Sequence, residues 1–345
     1  MNLGGSVKIN KCGMLIFTLI IVLLTYYMTL SKNDSSNSGG IQKDPNYVNL
    51  RKLLIGSIQA AEKGGIEVVA VSKEKNIQEH SKGKTLEGAN DPVTNADFRS
   101  HCVMQQGLQR IFPKLKIISE EDSGAAKCSD IPLFDLDPTV LHSNILPDEH
   151  VHVDDITVWI DPLDATQEYT ESLYDYVTTM VCVAIKGYAT IGVIHNPFTL
   201  KTVWAWKDKA MSEDLAKVKS EESKNHIIVV SRSHSGDAKK FLNNIFGDEA
   251  HVKDAAGAGY KVLQVVFNNA TAYIHTAHIK KWDLCAGNAI LNSLKGRMTD
   301  LSNKEIVYLG DRGDVEHTKG LLATLTNHQF YIDKIIAEEN KFSSK

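Results

Sequence analysis

One stretch of nine residues restricts this chain more than any other: Ile156-Thr157-Val158-Trp159-Ile160-Asp161-Pro162-Leu163-Asp164. Ile156, Val158 and Ile160 mark an apolar strand, and such a strand needs other elements to cover it. The strand runs straight into two acids three residues apart around a proline. Asp-Pro pairs start turns, so an acidic turn is the plain account. The alternative is that Asp161 and Asp164, at i and i+3 with the Leu163 carbonyl between them, face a pair of cations. Thr166 then offers a hydroxyl at the start of the next helix, where an attacking water could be held.

The rest of the chain supplies elements to cover that strand. An apolar period near 3.6 from Tyr47 to Val71 predicts a long helix, and Phe98 to Ile111 a second. Short strands are expected at Leu115–Ile118, Thr178–Ile185 and Ala189–His195. Between them lies Cys128 to Asp155, an acidic, proline-bearing loop insertion. The second half alternates: strand Ile227–Val230, helix Ser235–Phe246, helix Gly259–Val266, strand Ala272–His275 and helix Leu284–Leu294. This order predicts an α/β layered architecture. The body exceeds the usual size of one core, so residues 47–195 and 196–335 are expected to form two coupled subdomains, with 336–345 a tail.

The N-terminus has a different character. Cys12 to Leu30 is 19 residues without a charge, long enough as a helix to cross a hydrocarbon core of about 30 Å. A cleaved signal peptide has a shorter apolar region and a small-residue cleavage site, and neither feature is present. Residues 12–30 are therefore expected to be an uncleaved transmembrane anchor and 1–11 a cytoplasmic tail. The polar stretch 31–46 reads as a flexible stem. Lys8 and Lys11 before the span favour a cytoplasmic N-terminus, which makes this a single-pass type II arrangement with a lumenal catalytic domain. Two acceptor triplets, beginning at Asn33 and Asn269, agree with a lumenal body. Five scattered cysteines make no disulfide scaffold, and at most one bridge is expected. A formal net charge of −4 gives no sign of binding to a nucleic-acid polymer.

Further acids sit at expected strand or helix ends: Glu120 after a strand, and Asp97 and Asp283 each just before a helix. Singly, each reads as a cap or a solvated loop. Together they form an oxygen-rich set suited to hard cations, which take one or two carboxylates each plus water and phosphate. Two such ions can activate a water and stabilise the leaving oxygen in phosphoryl transfer.

Asp161-Pro162-Leu163-Asp164-Ala165-Thr166, with Trp282-Asp283 some 120 residues on, resembles the signature pair of the lithium-sensitive, magnesium-dependent phosphomonoesterases. That superfamily includes the inositol monophosphatases, the fructose-1,6-bisphosphatases and the 3′(2′),5′-bisphosphate nucleotidases. Two positions depart from its pattern, Ala165 where many members have Gly and Ser119 where Gly often precedes the metal-binding Glu. The resemblance implies an αβαβα sandwich. It makes Glu120, Asp161, the Leu163 carbonyl, Asp164 and Asp283 ligands of two Mg²⁺ ions, with a third ion touching Asp97 left open. It gives Asp97 and Thr166 the task of orienting and deprotonating the attacking water.

Ser231-Arg232-Ser233-His234-Ser235, Gly257-Ala258-Gly259-Tyr260-Lys261 and Lys280-Lys281-Trp282-Asp283 resemble the bisphosphate nucleotidase branch. By that match Ser231, His234, Gly259 and Lys261 would contact a nucleotide with two phosphates. Joined to the anchor, the resemblance implies removal of the 3′-phosphate of 3′-phosphoadenosine 5′-phosphate in the Golgi lumen, giving AMP and phosphate in support of sulfation. Rivals are an anchored inositol or sugar monophosphatase and a catalytically silent lumenal binding protein. Family members are often dimeric, so a homodimer is a further expectation.

Overall fold

Every residue of the strand Ile156–Asp164 is buried, so both of its faces are covered, and the fold can be built outward from it. The computed structural model describes residues 44–74, 77–84, 90–121, 128, 131–141, 146–220, 222–223, 225–232, 238–310 and 314–343. The expected anchor 12–30, Asn33 in the stem and His234 lie outside these residues. Among the described residues no helix is long and apolar enough to cross a membrane.

The first half runs β1 (Tyr47–Asn49), α1 (Leu50–Ser72), β2 (His80–Lys84), β3 (Asn90–Val93), α2 (Asn95–His101), a π-helical stretch, α3 (Gly107–Ile111) and β4 (Lys116–Ser119). It continues through β5 (His150–His152), β6 (Ile156–Asp164), α4 (Thr166–Thr170), β7 (Thr178–Ile185), β8 (Tyr188–Asn196), β9 (Lys201–Trp206), β10 (Ala210–Met211) and α5 (Glu213–Ala216). The second half contains β11 (His226–Ser231), α6 (Ala238–Phe246), β12 (Ala250–Ala255), α7 (Ala258–Val266), β13 (Ala272–His275), β14 (Ile279–Lys280) and α8 (Lys281–Ser293). It ends with β15 (Arg297–Thr299), β16 (Glu316–His317), β17 (Leu321–Thr324) and α9 (His328–Ser343).

Two sheets carry the architecture, one in the order β10-β9-β8-β7-β6-β4 and the other β12-β11-β13-β17-β15. Side chains alternate across a strand, and that sorts the layers. Val158 and Ile160 of β6, with Val181 and Val183 of β7, point to one face and meet Leu50, Leu53, Leu54 and Ile58 of α1. Trp159, Met180 and Cys182 point to the other face and meet Leu284, Ala289 and Ile290 of α8 and Val262 of α7. Those two helices also carry Tyr273, Leu321 and Ala323 of the second sheet. Its far face, through Ile228, Ile274 and Leu322, is covered by Leu242 of α6 and Ile332 and Ile335 of α9. The result is helix, sheet, helix, sheet, helix.

Three expectations are corrected. The boundary at 195/196 cuts through the first sheet, because β8 pairs with β9 from His195↔Thr202 onward, and Val48–Lys345 is one compact unit. The second predicted helix is broken into α2, a π-helical stretch and α3. Two disulfides are formed, Cys102–Cys128 and Cys182–Cys285, with Cα–Cα separations of 5.3 and 5.6 Å. The second joins β7 to α8 over 103 residues of sequence, a distance that leaves no spacing signal to read.

Close packing of α1 on the first sheet shapes one titration. A Cβ on Gly65 would lie 2.7 Å from the His195 ring. His195 Nδ1 lies 2.9 Å from Thr202 Oγ1, whose own proton goes to Glu62 Oε1 at 2.7 Å. The imidazole is therefore neutral, with its proton on Nδ1, and burial pushes its pKa down to about 4. Because the folded value lies below the ordinary 6.5, this group costs nothing above pH 6.5. It destabilises the fold progressively as pH falls from 6.5 to about 4, by on the order of 3 kcal/mol. The expected outcome is a shallower fall of Tm over that window in His195→Gln than in the wild-type protein. Parallel curves would remove His195 from the acid response.

Candidate active site

Where β6 ends, its ladder with β7 slips. Asp161 pairs with Met180 and Asp164 with Thr178, so Pro162 and Leu163 bulge between them. The two acids thus sit on a β-bulge and not in the proline turn expected from sequence. Ser100 Oγ donates to the Pro162 carbonyl at 2.7 Å, and Leu163 N–H donates to Asp161 Oδ1 at 3.1 Å. The chain reverses one residue later, at Ala165, whose φ of 70° explains why glycine suits this position. The reversal brings Thr166 back over the bulge. Its hydroxyl has two acceptors for its one proton, Asp97 Oδ1 at 3.0 Å and the Leu163 carbonyl at 3.1 Å.

Asp97 is not before its helix but in the first turn, at the third position of α2. Its Oδ2 accepts from Thr94 N–H at 2.8 Å and Thr94 Oγ1 at 2.7 Å. Burial pushes its pKa up to about 6 against the pull of the Thr94 hydroxyl. Asp283 occupies the same third position of α8 and accepts from Lys280 N–H at 3.1 Å. Its charge acts in turn on Asp161. Burial, followed by the charges of Glu120 and Asp164, holds both Asp161 and Asp283 well above the usual carboxylate range. One proton shared between two carboxylates is the expected response to such crowding.

Glu120 follows β4 and is positioned by its own N–H on the Ile160 carbonyl at 3.1 Å. Lys82 of the β2–β3 hairpin reaches into the acids, 2.9 Å from Glu120 and in contact with Glu121. Burial alone would lower the Lys82 pKa, but the two carboxylates outweigh it and the ammonium is held charged. Glu121 is pushed up to about 7 by burial and by Glu120. Sequence reasoning missed Lys82; its hairpin carries no apolar pattern to place it.

Asp164 lies at the other side of the bulge and has three donors: Ala258 N–H at 3.0 Å, Gly259 N–H at 2.8 Å and Thr178 Oγ1 at 3.1 Å. Burial raises its pKa against these bonds and Lys261. The glycines here serve that carboxylate. Gly257 has a φ of 65°, and a Cβ on Gly259 would come within 2.6 Å of Thr178 Oγ1. Gly259, expected to contact substrate, gives its N–H to Asp164.

These groups open on a cavity of about 490 Å³ lined by Glu120, Asp161, Leu163, Asp164, Thr166 and Asp283 on one wall. Ser231, Lys261, Tyr273, His275 and Trp282 line the other. Lys261 is 3% exposed, and burial pushes its pKa down to about 8 despite Asp164, Glu168 and Asp283 nearby. Asn269 is exposed in the turn after α7, away from this cavity. A wider depression of about 680 Å³ at the opposite ends of β11 and β12 contains none of the expected site residues.

Among the described residues no three His, Cys, Asp or Glu side chains converge as a closed metal cage requires. An open site for a hard cation does fit, since Mg²⁺ takes one or two carboxylates and leaves its other positions to water and phosphate. The crowding of Asp161 and Asp283, and the lysine drawn to Glu120, mark where positive charge is wanted.

The sequence profile of the inositol monophosphatase family matches residues 49–334. The chain belongs to the inositol monophosphatase family. It is a phosphatase. A Drosophila pseudoobscura protein named provisionally as inositol monophosphatase 3 is 51% identical, over 96% of this chain and 95% of its own. The Golgi-resident adenosine 3′,5′-bisphosphate 3′-phosphatase of Mus musculus is 39% identical, over 96% of this chain and 97% of its own. The solved Thermotoga maritima IMPase superposes with a TM-score of 0.61 at 16% identity, over 82% of this chain and 96% of its own, and so shares the fold. Mg²⁺ dependence is a property of this family.

Like charges packed at the end of β6 carry a testable cost. Asp161→Asn should raise stability by on the order of 1–2 kcal/mol in chelator while lowering phosphate release at least about 100-fold with Mg²⁺. Thermal unfolding in EDTA and a phosphate assay read the two effects. A destabilised variant, or one that remains active, contradicts the assignment.

Proposed function

We propose that this chain is a Mg²⁺-dependent phosphatase that removes the 3′-phosphate of adenosine 3′,5′-bisphosphate, giving AMP and phosphate. The observation that carries the reading is a buried lysine, Lys261, facing an acidic phosphatase site across one cavity. A monoester with a single phosphate needs the acid wall alone. A substrate with a second phosphate gives Lys261, Ser231 and the His234 segment something to hold, and the mouse relative is named for that activity.

In this reading Glu120, Asp161, the Leu163 carbonyl, Asp164 and Asp283 hold two Mg²⁺ ions. Bound there, the ions neutralise the phosphate and lower the pKa of water. Thr166 and Asp97 manage the proton. Thr166 Oγ1 gives its hydrogen to Asp97 Oδ1, which leaves its lone pairs to accept from the attacking water. The water proton passes to Thr166 as the Thr166 proton passes to Asp97. The freed oxygen bonds to phosphorus as the ester P–O bond breaks, and the departing oxygen takes a proton from solvent water, so that the alcohol leaves neutral. Asp97, pushed up to about 6, is suited to hold a proton near neutrality.

The uncharged run Cys12–Leu30 is proposed as a type II anchor that places the catalytic domain in the Golgi lumen. The name of the mouse relative supports that location. Exposed Asn269 and stem residue Asn33 are proposed glycan acceptors, and a homodimer is proposed as the assembled form. A second reading, an inositol monophosphatase, is favoured by the name of the 51% identical Drosophila relative.

Phosphate release with Mg²⁺ from adenosine 3′,5′-bisphosphate and from inositol 1-phosphate separates the two. The nucleotide should be preferred by at least about 10-fold in kcat/KM, a difference of about 1.4 kcal/mol. Preference for the inositol ester would overturn the substrate.

A further inference from the structure

Tyr273 is fully buried at the end of the cavity that holds Lys261, and its hydroxyl has no hydrogen-bond partner among the described residues. Packing alone does not account for that oxygen. A phenylalanine would fill the same volume between α7 and the second sheet without burying an unpaired hydroxyl. The buried hydroxyls of Tyr169 and Tyr308, by contrast, are both paired, with the Val68 carbonyl and Asn288.

The position of this oxygen within the site is informative. Asp161 stands among the other acids of the site at the end of β6, with Asp164 beyond the bulge and Glu120 and Asp283 on the same cavity. Thr166 and Asp97, the groups suited to handle the attacking water, lie towards Glu120 and Lys82. They belong to α4 and α2, which pack with α1 on one side of the first sheet, whereas Tyr273 belongs to β13 and packs with α7 and α8 on the other side. The Lys261 ammonium sits over its ring, 5.1 Å from the centroid. In-line displacement places the departing oxygen opposite the attacking one.

We propose that Tyr273 is a catalytic residue at the leaving-group end of the site, its hydroxyl donating a hydrogen bond to the ester oxygen that departs with the alcohol. This rests on the reading that Thr166 and Asp97 mark the attacking end, and it does not depend on which alcohol leaves. Burial holds its hydroxyl protonated, so it acts as a neutral donor and passes no proton. The Lys261 ammonium on the ring face makes the phenol a stronger donor. A developing alkoxide gains more from such a donor than the ground-state ester does, so the contact acts on kcat more than on KM.

The test is Tyr273→Phe, assayed with Mg²⁺ on whichever phosphate monoester the wild-type enzyme turns over fastest. The same ester with sulfur at the bridging position is assayed alongside, since a thiolate leaves with little help from a donor. The expected result is a kcat at least about 10-fold lower on the oxygen ester with KM within about 3-fold. The effect on the sulfur ester should be under about 3-fold, and Tm unchanged or higher. The proposal is overturned if turnover of the oxygen ester is unchanged, if both esters lose activity alike, or if Tm falls along with activity. The identity of the fastest wild-type substrate reports separately on the proposed nucleotide, so the two claims can fail independently.

Discussion

Several carboxylates are buried at the end of one strand without enough positive charge to balance them, and much of the molecule is arranged to hold them there. Asp161 and Asp283 line one cavity although they are 122 residues apart, one on the first sheet and the other on the helix layer packed against it. Asp97 and Asp283 sit in first helical turns, where the backbone amides and the helix dipole favour a carboxylate. Asp164 is satisfied by the N-terminal amides of α7 and by Thr178. Each acid is held by a different element, so repulsion among them is resisted by the packing of the whole sandwich.

The layering explains why the cavity has two chemical characters. One wall is the edge where β6 and β4 end and α2 and α4 begin, and it is acidic. The other comes from α7 and β13, and it carries Lys261 and Tyr273. Helices α7 and α8 pack between the two sheets, and that places the second wall at a fixed distance from the first. The Cys182–Cys285 bridge ties α8 to β7 two residues beyond Asp283, fixing that acid relative to β6.

Much of this was legible in the sequence because the signals were local. The strand Thr178–Ile185 and the strand Ala272–His275 fall where alternation and apolar runs place them. Asp161, Asp164 and Asp283 line one cavity, and Asp97 reaches its edge through Thr166. What was hidden is set by tertiary contact. Lys82 belongs to an exposed hairpin whose composition suggests nothing. Tyr273 reads as one more core aromatic until its hydroxyl is found unpaired. The bulge between Asp161 and Asp164 needs the β7 register to be seen, because a proline between two acids reads equally well as a turn. Gly257-Ala258-Gly259 looked like a small-residue turn beside a substrate, yet the amides of Ala258 and Gly259 bind the chain's own Asp164 carboxylate.

The central claim is that the crowded carboxylates at the end of β6 are a cation site. Anomalous diffraction from crystals of the protein grown with Mn²⁺ in place of Mg²⁺ tests it most directly. The account predicts peaks roughly 2.1 Å from an Asp161 carboxylate oxygen, at least one of them shared with Asp283. Saturating Mn²⁺ with no peak at Asp161 would contradict it.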